Sequence, residues 1–248
     1  MKAMVLAAGL GTRLRPLTND RPKALVEVAG RTMLEITLSR LRAFGICDVI
    51  VNAHHFADKI VEYLEAHDNF GMRIEISREQ DLLDTGGGLK KAAYFLLSNS
   101  GSGEEPFLLH NVDVMSTIDF REMLRLHAEK KALATLAVRD RKTSRYLLFD
   151  EQLQLCGRRS GSDAKGEIVR AVKDKQALAF CGIHIIAPRI FPLLAEEGTF
   201  SIIKTYLRLA AAGEKIAGFR ADECYWRDLG KPEDLRQAAE DMKQGVLS

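Results

Sequence analysis

The chain has 248 residues, of which 46% are hydrophobic and 28% charged, enough apolar sequence to bury one large or two small domains. A formal net charge of +2 excludes an extended basic surface, so neither nucleic acid nor a membrane is predicted as a partner. The cysteines form no C-x-x-C pair and no apolar run could span a bilayer, which favours reduced thiols, no zinc site and a cytoplasmic location.

Short apolar runs alternate with amphipathic stretches through the first half of the chain. Strands are predicted at 2–8, 48–52, 73–77 and 107–110, helices at 32–44, 57–66 and 86–97, and a loop at 99–105. Strands separated by helices are typical of right-handed crossovers and a parallel sheet.

The second half is richer in strands. Strands are predicted at 133–139, 146–149, 154–156, 168–172, 179–186 and 215–219, and helices at 201–212 and 232–244. No linker separates the halves. We therefore predict one domain over 1–248, a three-layer α/β/α sandwich with a mostly parallel, Rossmann-like central sheet.

A glycine-rich loop follows the first predicted strand directly. Gly9 and Gly11 allow the backbone N–H groups to approach phosphate oxygens closely, and Arg13 adds a planar set of donors. Residue 14 is Leu where a dinucleotide fingerprint needs Gly, and Pro16 prevents a helix from starting there. The loop is therefore either a phosphate cradle of another kind or a plain tight turn, with Lys23 as a further cation nearby.

Two aspartates far apart in sequence are candidate metal ligands. Asp113 follows a predicted strand, and open α/β sheets bind ligands at the carboxyl ends of their strands. Asp228 lies in a W-R-D-L-G segment near the end of the chain. Mg²⁺ needs only one or two carboxylates together with phosphate oxygens and water, whereas either aspartate alone could also be a turn or capping residue.

These motifs together resemble the sugar-nucleotide pyrophosphorylases, a family of nucleoside-triphosphate transferases. The resemblance begins with LAAGLGTRLRPLT and RPKALVEVAG and continues to the last helix, covering nearly the whole chain. Its members include uridylyltransferases for N-acetylmuramate 1-phosphate and guanylyltransferases for mannose 1-phosphate. The resemblance implies transfer of a nucleoside monophosphate from a triphosphate to a sugar 1-phosphate, with Mg²⁺ as cofactor, pyrophosphate as by-product, and a role in supplying sugar nucleotides to the cell envelope.

The resemblance also implies roles for individual residues. Residues 1–130 become the nucleotide-binding half and 131–248 the sugar-binding half. Catalysis is assigned to Arg13 and Lys23, and the metal to Asp113 and Asp228. The nucleotide is assigned to Leu6, Ala8, Gly9, Gly11, Thr12, Glu79, Thr85 and Gly86. The sugar phosphate is assigned to Asn111, Gly182 and Lys173, with Lys175 as an alternative to Lys173.

Several alternatives remain open at this level. A Glu79 carboxylate only accepts hydrogen bonds, so it suits the N–H groups of uracil or guanine but does not choose between UTP and GTP. N-acetylmuramate, mannose and heptose 1-phosphates are all possible acceptors, and the sequence does not predict the oligomeric state. Rival functions are a phosphocholine cytidylyltransferase, a non-catalytic nucleotide-sugar sensor, and a glycosyltransferase, although Asn111-Val112-Asp113 supplies only half of a D-x-D motif.

Overall fold

The computed structural model describes residues 1–98, 105–161 and 166–246, and most of the loop predicted at 99–105 lies outside these residues. The strands are β1 Ala3–Leu6, β2 Glu27–Val28, β3 Arg31–Thr32, β4 Asp48–Ala53, β5 Arg73–Arg78, β6 Phe107–Asn111, β7 Val114–Ser116, β8 Ala134–Arg139, β9 Arg145–Phe149, β10 Leu155–Ser160, β11 Glu167–Ile168, β12 Gln176–Ile186, β13 Ile216–Arg220 and β14 Trp226–Asp228. The helices are α1 Met33–Ala43, α2 Ala57–Ala66, α3 Asp84–Lys91, α4 Ala93–Leu97, α5 Phe120–Lys130, α6 Ile202–Ala211 and α7 Pro232–Lys243.

The central sheet has the strand order β5–β4–β1–β6–β12–β8–β13. Strand β12 is antiparallel to both of its neighbours in this part of the sheet, β6 and β8, while the other pairs are parallel. All strands of this part except β12 therefore run in one direction, which confirms the predicted mostly parallel sheet. The first residues of β12 pair instead with β9, which carries an antiparallel extension of β9, β10 and β11.

Helices cover both faces of the sheet. Alternate residues of β1 belong to separate cores, because successive side chains of a strand point to opposite faces: Val5 packs in one core and Met4 in the other. The core around Val5 includes apolar residues of α1, α2, α5 and α7, and the core around Met4 includes those of α3, α4 and α6. The predicted three-layer sandwich is confirmed. No helix in the described part of the chain is long and apolar enough to cross a bilayer.

Two local predictions need correction, and one helix was missed. The helix predicted at 86–97 begins earlier, at Asp84, and is interrupted at Ala92 between α3 and α4. The strand predicted at 168–172 ends at Ile168. Helix α5 was not predicted, although Asp119 accepts a hydrogen bond from the backbone N–H of Arg121 at 2.7 Å and caps the helix. Asp119 followed by Glu122 is a helix-start signal in the sequence. The helix is mostly polar, however, so its few buried residues give only a weak hydrophobic pattern.

Candidate active site

The glycine loop leaves β1 at the carboxyl edge of the sheet. Gly11 has φ of 64°, and a Cβ there would lie 2.9 Å from Cγ2 of Thr18. The Thr18 hydroxyl and the backbone N–H of Leu14 both donate to the carbonyl of Gly11, each at 2.9 Å. A single turn of 3₁₀ helix follows at Thr12–Leu14. The loop therefore makes no α-helix before Pro16, as the sequence indicated.

The earlier part of the loop is more open. Leu6 is half-buried at the end of β1 and Ala8 is buried, whereas Gly9 is exposed with no atom within 4 Å of a Cβ placed on it. A ligand can approach the backbone here without displacing a side chain.

Asp113 and Asp228 lie beside each other although 115 positions separate them in the chain. Asp113 occupies the turn between β6 and β7, and β7 pairs with β14 so that Val114 faces Asp228. The backbone N–H of Leu229 donates to the carbonyl of Asp113 at 2.8 Å. One carboxylate oxygen of Asp228 accepts the N–H of Gly230 at 2.7 Å. The structure thus brings the two candidate metal ligands together.

Both candidate catalytic cations reach the same corner of the molecule. Lys23 forms an ion pair with the carboxylate of Asp113, and the two side chains are only 10% and 20% exposed. Arg13 lies against Gly230, where an added Cβ would be 2.4 Å from Arg13 Nη2 and 2.6 Å from Asp228 Oδ1. The guanidinium and the second carboxylate are therefore neighbours as well, and we call Gly11, Arg13, Lys23, Asp113 and Asp228 the charged corner.

The donors of the charged corner fit a divalent cation that also binds phosphate. Burial and the negative charges of Asp228 and Glu233 raise the pKa of nearby Asp234. No cluster of three or more His, Cys, Asp or Glu side chains suited to a metal occurs among the described residues. The protein would supply Asp113 and Asp228, which suits Mg²⁺ because it usually keeps water and phosphate oxygens as its other ligands.

Glu79, a predicted base-reading residue, is buried and bonded within the protein. Its side-chain Oε1 accepts from Asn52 Nδ2 at 2.7 Å, and its Oε2 accepts from the backbone N–H of Leu83 at 3.0 Å. Asn52 in turn accepts the N–H of Ala7 at 2.7 Å. Glu79 and Asn52 therefore connect the start of the glycine loop to the segment before α3, and contact of Glu79 with a base stays a prediction.

Thr85 and Gly86 are engaged by the segment that leads into α6. The Thr85 hydroxyl accepts the N–H of Ile202 at 3.0 Å, and the N–H of Gly86 donates to the carbonyl of Phe200 at 2.9 Å. A Cβ on Gly86 would lie 2.3 Å from the Phe200 ring, and one on Gly87 would lie 2.4 Å from a backbone carbonyl. These glycines allow close packing of the helix, and the predicted nucleotide contacts remain predictions.

The predicted sugar-binding residues divide into a close pair and a distant lysine. Gly182 has φ of 76°, and a Cβ there would lie 2.9 Å from Nδ2 of Asn111 and 2.8 Å from the side chain of Val114. Asn111 ends β6, directly before the turn that holds Asp113. Lys173 is exposed in the connection to β12 and forms no ion pair with a described residue. The structure thus joins Asn111 and Gly182 to the charged corner but does not bring Lys173 there by any contact.

Sequence reasoning missed residues that surround these candidates. Besides Asn52, Trp226 donates from its indole to the carbonyl of Cys181 at 2.8 Å, and the guanidinium of Arg141 lies 4.3 Å from the centre of the Trp226 ring. The signal for Trp226 was its place in the W-R-D-L-G segment. Arg141 offered no motif, because its position depends on the tertiary contact alone.

Two groups near the site are unsuited to acid–base or nucleophilic catalysis. Burial lowers the pKa of His110 to about 4, so its imidazole is neutral at neutral pH. Burial raises the pKa of Cys181 to about 12, so its thiol stays protonated. Both observations agree with a direct displacement that needs positioning and charge rather than covalent help from the protein.

A parallel α/β sheet with acidic and basic side chains gathered at its carboxyl edge is typical of α/β proteins that bind a ligand at the ends of their strands. Residues 2–245 match the model of the nucleotidyl transferase family. The chain therefore belongs to this family and is a nucleotidyltransferase, which confirms the resemblance seen in its motifs.

Named relatives and solved structures agree with this assignment. The N-acetylmuramate alpha-1-phosphate uridylyltransferase of Caulobacter vibrioides is 37% identical over 93% of this chain and 92% of its own length. The mannose-1-phosphate guanyltransferase of Yarrowia lipolytica is 30% identical over 95% of this chain, but this chain spans only 62% of that enzyme. A UDP-glucose pyrophosphorylase complexed with UDP-glucose has the same fold, with a TM-score of 0.78, 17% identity and coverage of 98% of both chains. HddC from Yersinia pseudotuberculosis, complexed with GMP-PN, has a TM-score of 0.75 at 21% identity, covering 97% of this chain and 99% of its own.

Proposed function

We propose that this enzyme transfers a nucleoside monophosphate from a nucleoside triphosphate to a sugar 1-phosphate, giving a nucleotide sugar and pyrophosphate, with Mg²⁺ as cofactor. The observation that carries the proposal is the charged corner, where Asp113 and Asp228 meet across the β7–β14 pair. Membership of the nucleotidyl transferase family supports the same reaction.

The residues of the charged corner have distinct roles in this proposal. The open backbone at Gly9 and the tight turn at Gly11 receive the triphosphate, and Arg13 and Lys23 lie where negative charge grows on the α-phosphate and the departing pyrophosphate. Bound Mg²⁺ would neutralise phosphate charge and orient the phosphates for in-line displacement. Asp113 would hold the metal together with Asp228, and the Lys23 ammonium, which pairs with Asp113 here, would be placed to bind phosphate.

The sugar is expected on the side of Asn111 and Gly182, next to the same turn. Among the named relatives described above, the N-acetylmuramate 1-phosphate uridylyltransferase matches over nearly its whole length, so we put UTP and that sugar first. Nucleoside triphosphates and Mg²⁺ are cytoplasmic, and we place the enzyme there. The phosphocholine alternative is disfavoured because the only tryptophan carries the Arg141 cation at its ring, where a second cation would be repelled.

A pyrophosphate-release assay tests this function. The four nucleoside triphosphates are each combined with N-acetylmuramate, N-acetylglucosamine, mannose and heptose 1-phosphates, with and without EDTA. We expect release with UTP or GTP and at least one of these sugars, abolished by EDTA and restored by excess Mg²⁺. Release in no combination would overturn the proposal, and undiminished release in EDTA would remove the metal from it.

A further inference from the structure

Arg141 lies at the sugar side of the site without belonging to any recognised motif. It follows β8, which ends at Arg139, so it leaves the sheet at the same carboxyl edge as the turn of Asp113. Its guanidinium lies 4.3 Å from the centre of the Trp226 ring. Trp226 precedes Asp228 by two positions on β14, and side chains two apart on a strand share a face about 7 Å from each other.

The neighbouring strand holds this arrangement in place. Arg141 Nη2 donates to the carbonyl of Phe180 at 3.3 Å, and the Trp226 indole donates to the carbonyl of Cys181 at 2.8 Å. These two residues precede Gly182, which packs against Asn111. Arg141 is thus held by Trp226 and by the strand that leads to Gly182, next to the residues expected to contact the sugar.

The charge of Arg141 has no acidic partner within the described residues. No described carboxylate lies within 4.0 Å of its guanidinium, whereas Arg227, on the same strand as Trp226, pairs with Asp241 at 3.0 Å. The Nε atom of Arg141 is buried and finds no acceptor in the described part of the chain. A half-buried guanidinium with unused donors is costly by itself and is suited to pairing with an anion, above all a carboxylate that can accept two hydrogen bonds.

We propose that Arg141 binds a carboxylate carried by the sugar, and that it selects an acidic sugar 1-phosphate over its neutral counterpart. This inference rests on the proposed function. The 1-phosphate itself must lie at the charged corner, close to Asp228, whereas Arg141 lies against the ring of Trp226, two positions before Asp228 on β14. The group that reaches Arg141 is therefore a substituent on the far side of the sugar.

A matched pair of substrates isolates this carboxylate. N-acetylmuramate 1-phosphate and N-acetylglucosamine 1-phosphate differ only by the lactyl ether that bears it. For Arg141→Gln we expect the KM for the acidic sugar to rise about ten- to a hundredfold, as for loss of a hydrogen bond to a charged group, with little change for the neutral sugar. Arg141→Lys should recover part of the loss. Arg121→Gln is the control: Arg121 lies on α5, its guanidinium is 5.3 Å from the Phe44 ring, and its loss should leave the KM for both sugars unchanged.

Binding gives a second readout that does not need turnover. Trp226 is the only tryptophan, so its fluorescence reports occupancy beside Arg141. The wild-type protein should bind N-acetylmuramate 1-phosphate tightly enough to change this signal, and Arg141→Gln should weaken the binding by a similar factor. Thermal unfolding of each variant checks that the fold is intact, with Arg141→Lys as the substitute if Arg141→Gln does not fold.

The outcomes separate this inference from the proposed function. If Arg141→Gln raises the KM for both sugars equally, Arg141 contacts the phosphate or supports the fold. If the KM for the acidic sugar does not change, Arg141 does not contact the sugar. Either result overturns the inference. A wild-type enzyme that prefers the neutral sugar overturns it as well. Pyrophosphate release from no sugar at all would sink the proposed function, while the fluorescence titration would still decide whether Arg141 binds the acidic sugar.

Discussion

The charged corner and the α3 region (Glu79, Thr85 and Gly86) have similar sequence features, but their polar groups have different partners. Both contain glycines beside acidic residues, and the resemblance assigned nucleotide contacts to both. In the loop that leads into the charged corner, a Cβ on Gly9 would meet no atom within 4 Å, and within the corner Lys23 pairs with Asp113. In the α3 region the Glu79 carboxylate is bonded inside the protein, and the N–H of Gly86 is bonded to Phe200.

This difference separates groups available to a ligand from groups consumed by the fold. A polar atom that already has a good partner must lose it before it can bind a ligand, and the two exchanges nearly cancel. We therefore expect the charged corner to govern the chemistry, and Glu79, Thr85 and Gly86 to govern the shape and stability of the wall beside it. The predictions that follow test this division.

The largest effect is expected from Lys23→Ala. Loss of a cation that stabilises charge on the reacting phosphates should raise the barrier by about 3 kcal/mol, a loss in kcat of roughly a hundredfold or more. Steady-state pyrophosphate release measures it. Lys130→Ala is the matched control, because its ammonium donates to the carbonyl of Gln152 on the surface, at 3.1 Å, far from the charged corner in the fold. Turnover near the wild-type rate in Lys23→Ala would remove this residue from the mechanism.

The next largest effects are expected from two glycine substitutions, one in each region, which should differ in whether they change stability or ligand binding. Gly86→Ala places a methyl group 2.3 Å from the Phe200 ring, so we expect a loss of about 1–3 kcal/mol in the free energy of unfolding, measured with denaturant. Gly9→Ala meets open space, so its stability should stay near wild type while its affinity for the triphosphate falls. The reverse pattern, a stable Gly86→Ala and an unstable Gly9→Ala, would contradict the division.

Glu79→Gln should reduce stability more clearly than it changes nucleotide choice. Glutamine offers only one acceptor oxygen, so either Asn52 Nδ2 or the N–H of Leu83 loses its acceptor, at a cost of about 1–3 kcal/mol. Denaturant unfolding and the ratio of kcat/KM for UTP and GTP are measured together. A variant of wild-type stability with an altered ratio would show that Glu79 reads the base.

The smallest effect is expected from Thr85→Val, which removes the hydroxyl that accepts the N–H of Ile202 at the start of α6. Loss of a capping acceptor costs about 1 kcal/mol. Thr143→Val is a suitable control, because the Thr143 hydroxyl accepts from the backbone of Arg145 in an exposed loop, at 3.3 Å. A large loss of activity in Thr85→Val at unchanged stability would point to a direct nucleotide contact instead.

The sheet and the place of Asp113 could be predicted because they follow from repeating or positional rules, whereas a metal role for Asp228 beside it was implied only by the family resemblance. Buried apolar runs separated by helices gave the parallel strands, and the strand-end position of Asp113 indicated the ligand-binding edge. That edge also receives Asp228, since β14 pairs with β7.

The remaining features depend on tertiary contacts that no local pattern carries. The triple glycine did not predict that Phe200 would pack on Gly86. No local pattern predicted that Asn52 would donate a hydrogen bond to Glu79. Helix α5 was missed because its buried residues are few and its surface is polar. Arg141 is a single residue whose role depends on one ring 85 positions away.

The most direct test of the central claim is a titration of Mn²⁺, a spectroscopic substitute for Mg²⁺, followed by electron paramagnetic resonance in the presence of a non-hydrolysable UTP analogue. We predict that Asp113→Asn and Asp228→Asn each weaken binding of the metal about tenfold or more, and that the double variant is little worse than the weaker single one, because both side chains hold one ion. Wild-type affinity in either single variant would contradict the shared metal site.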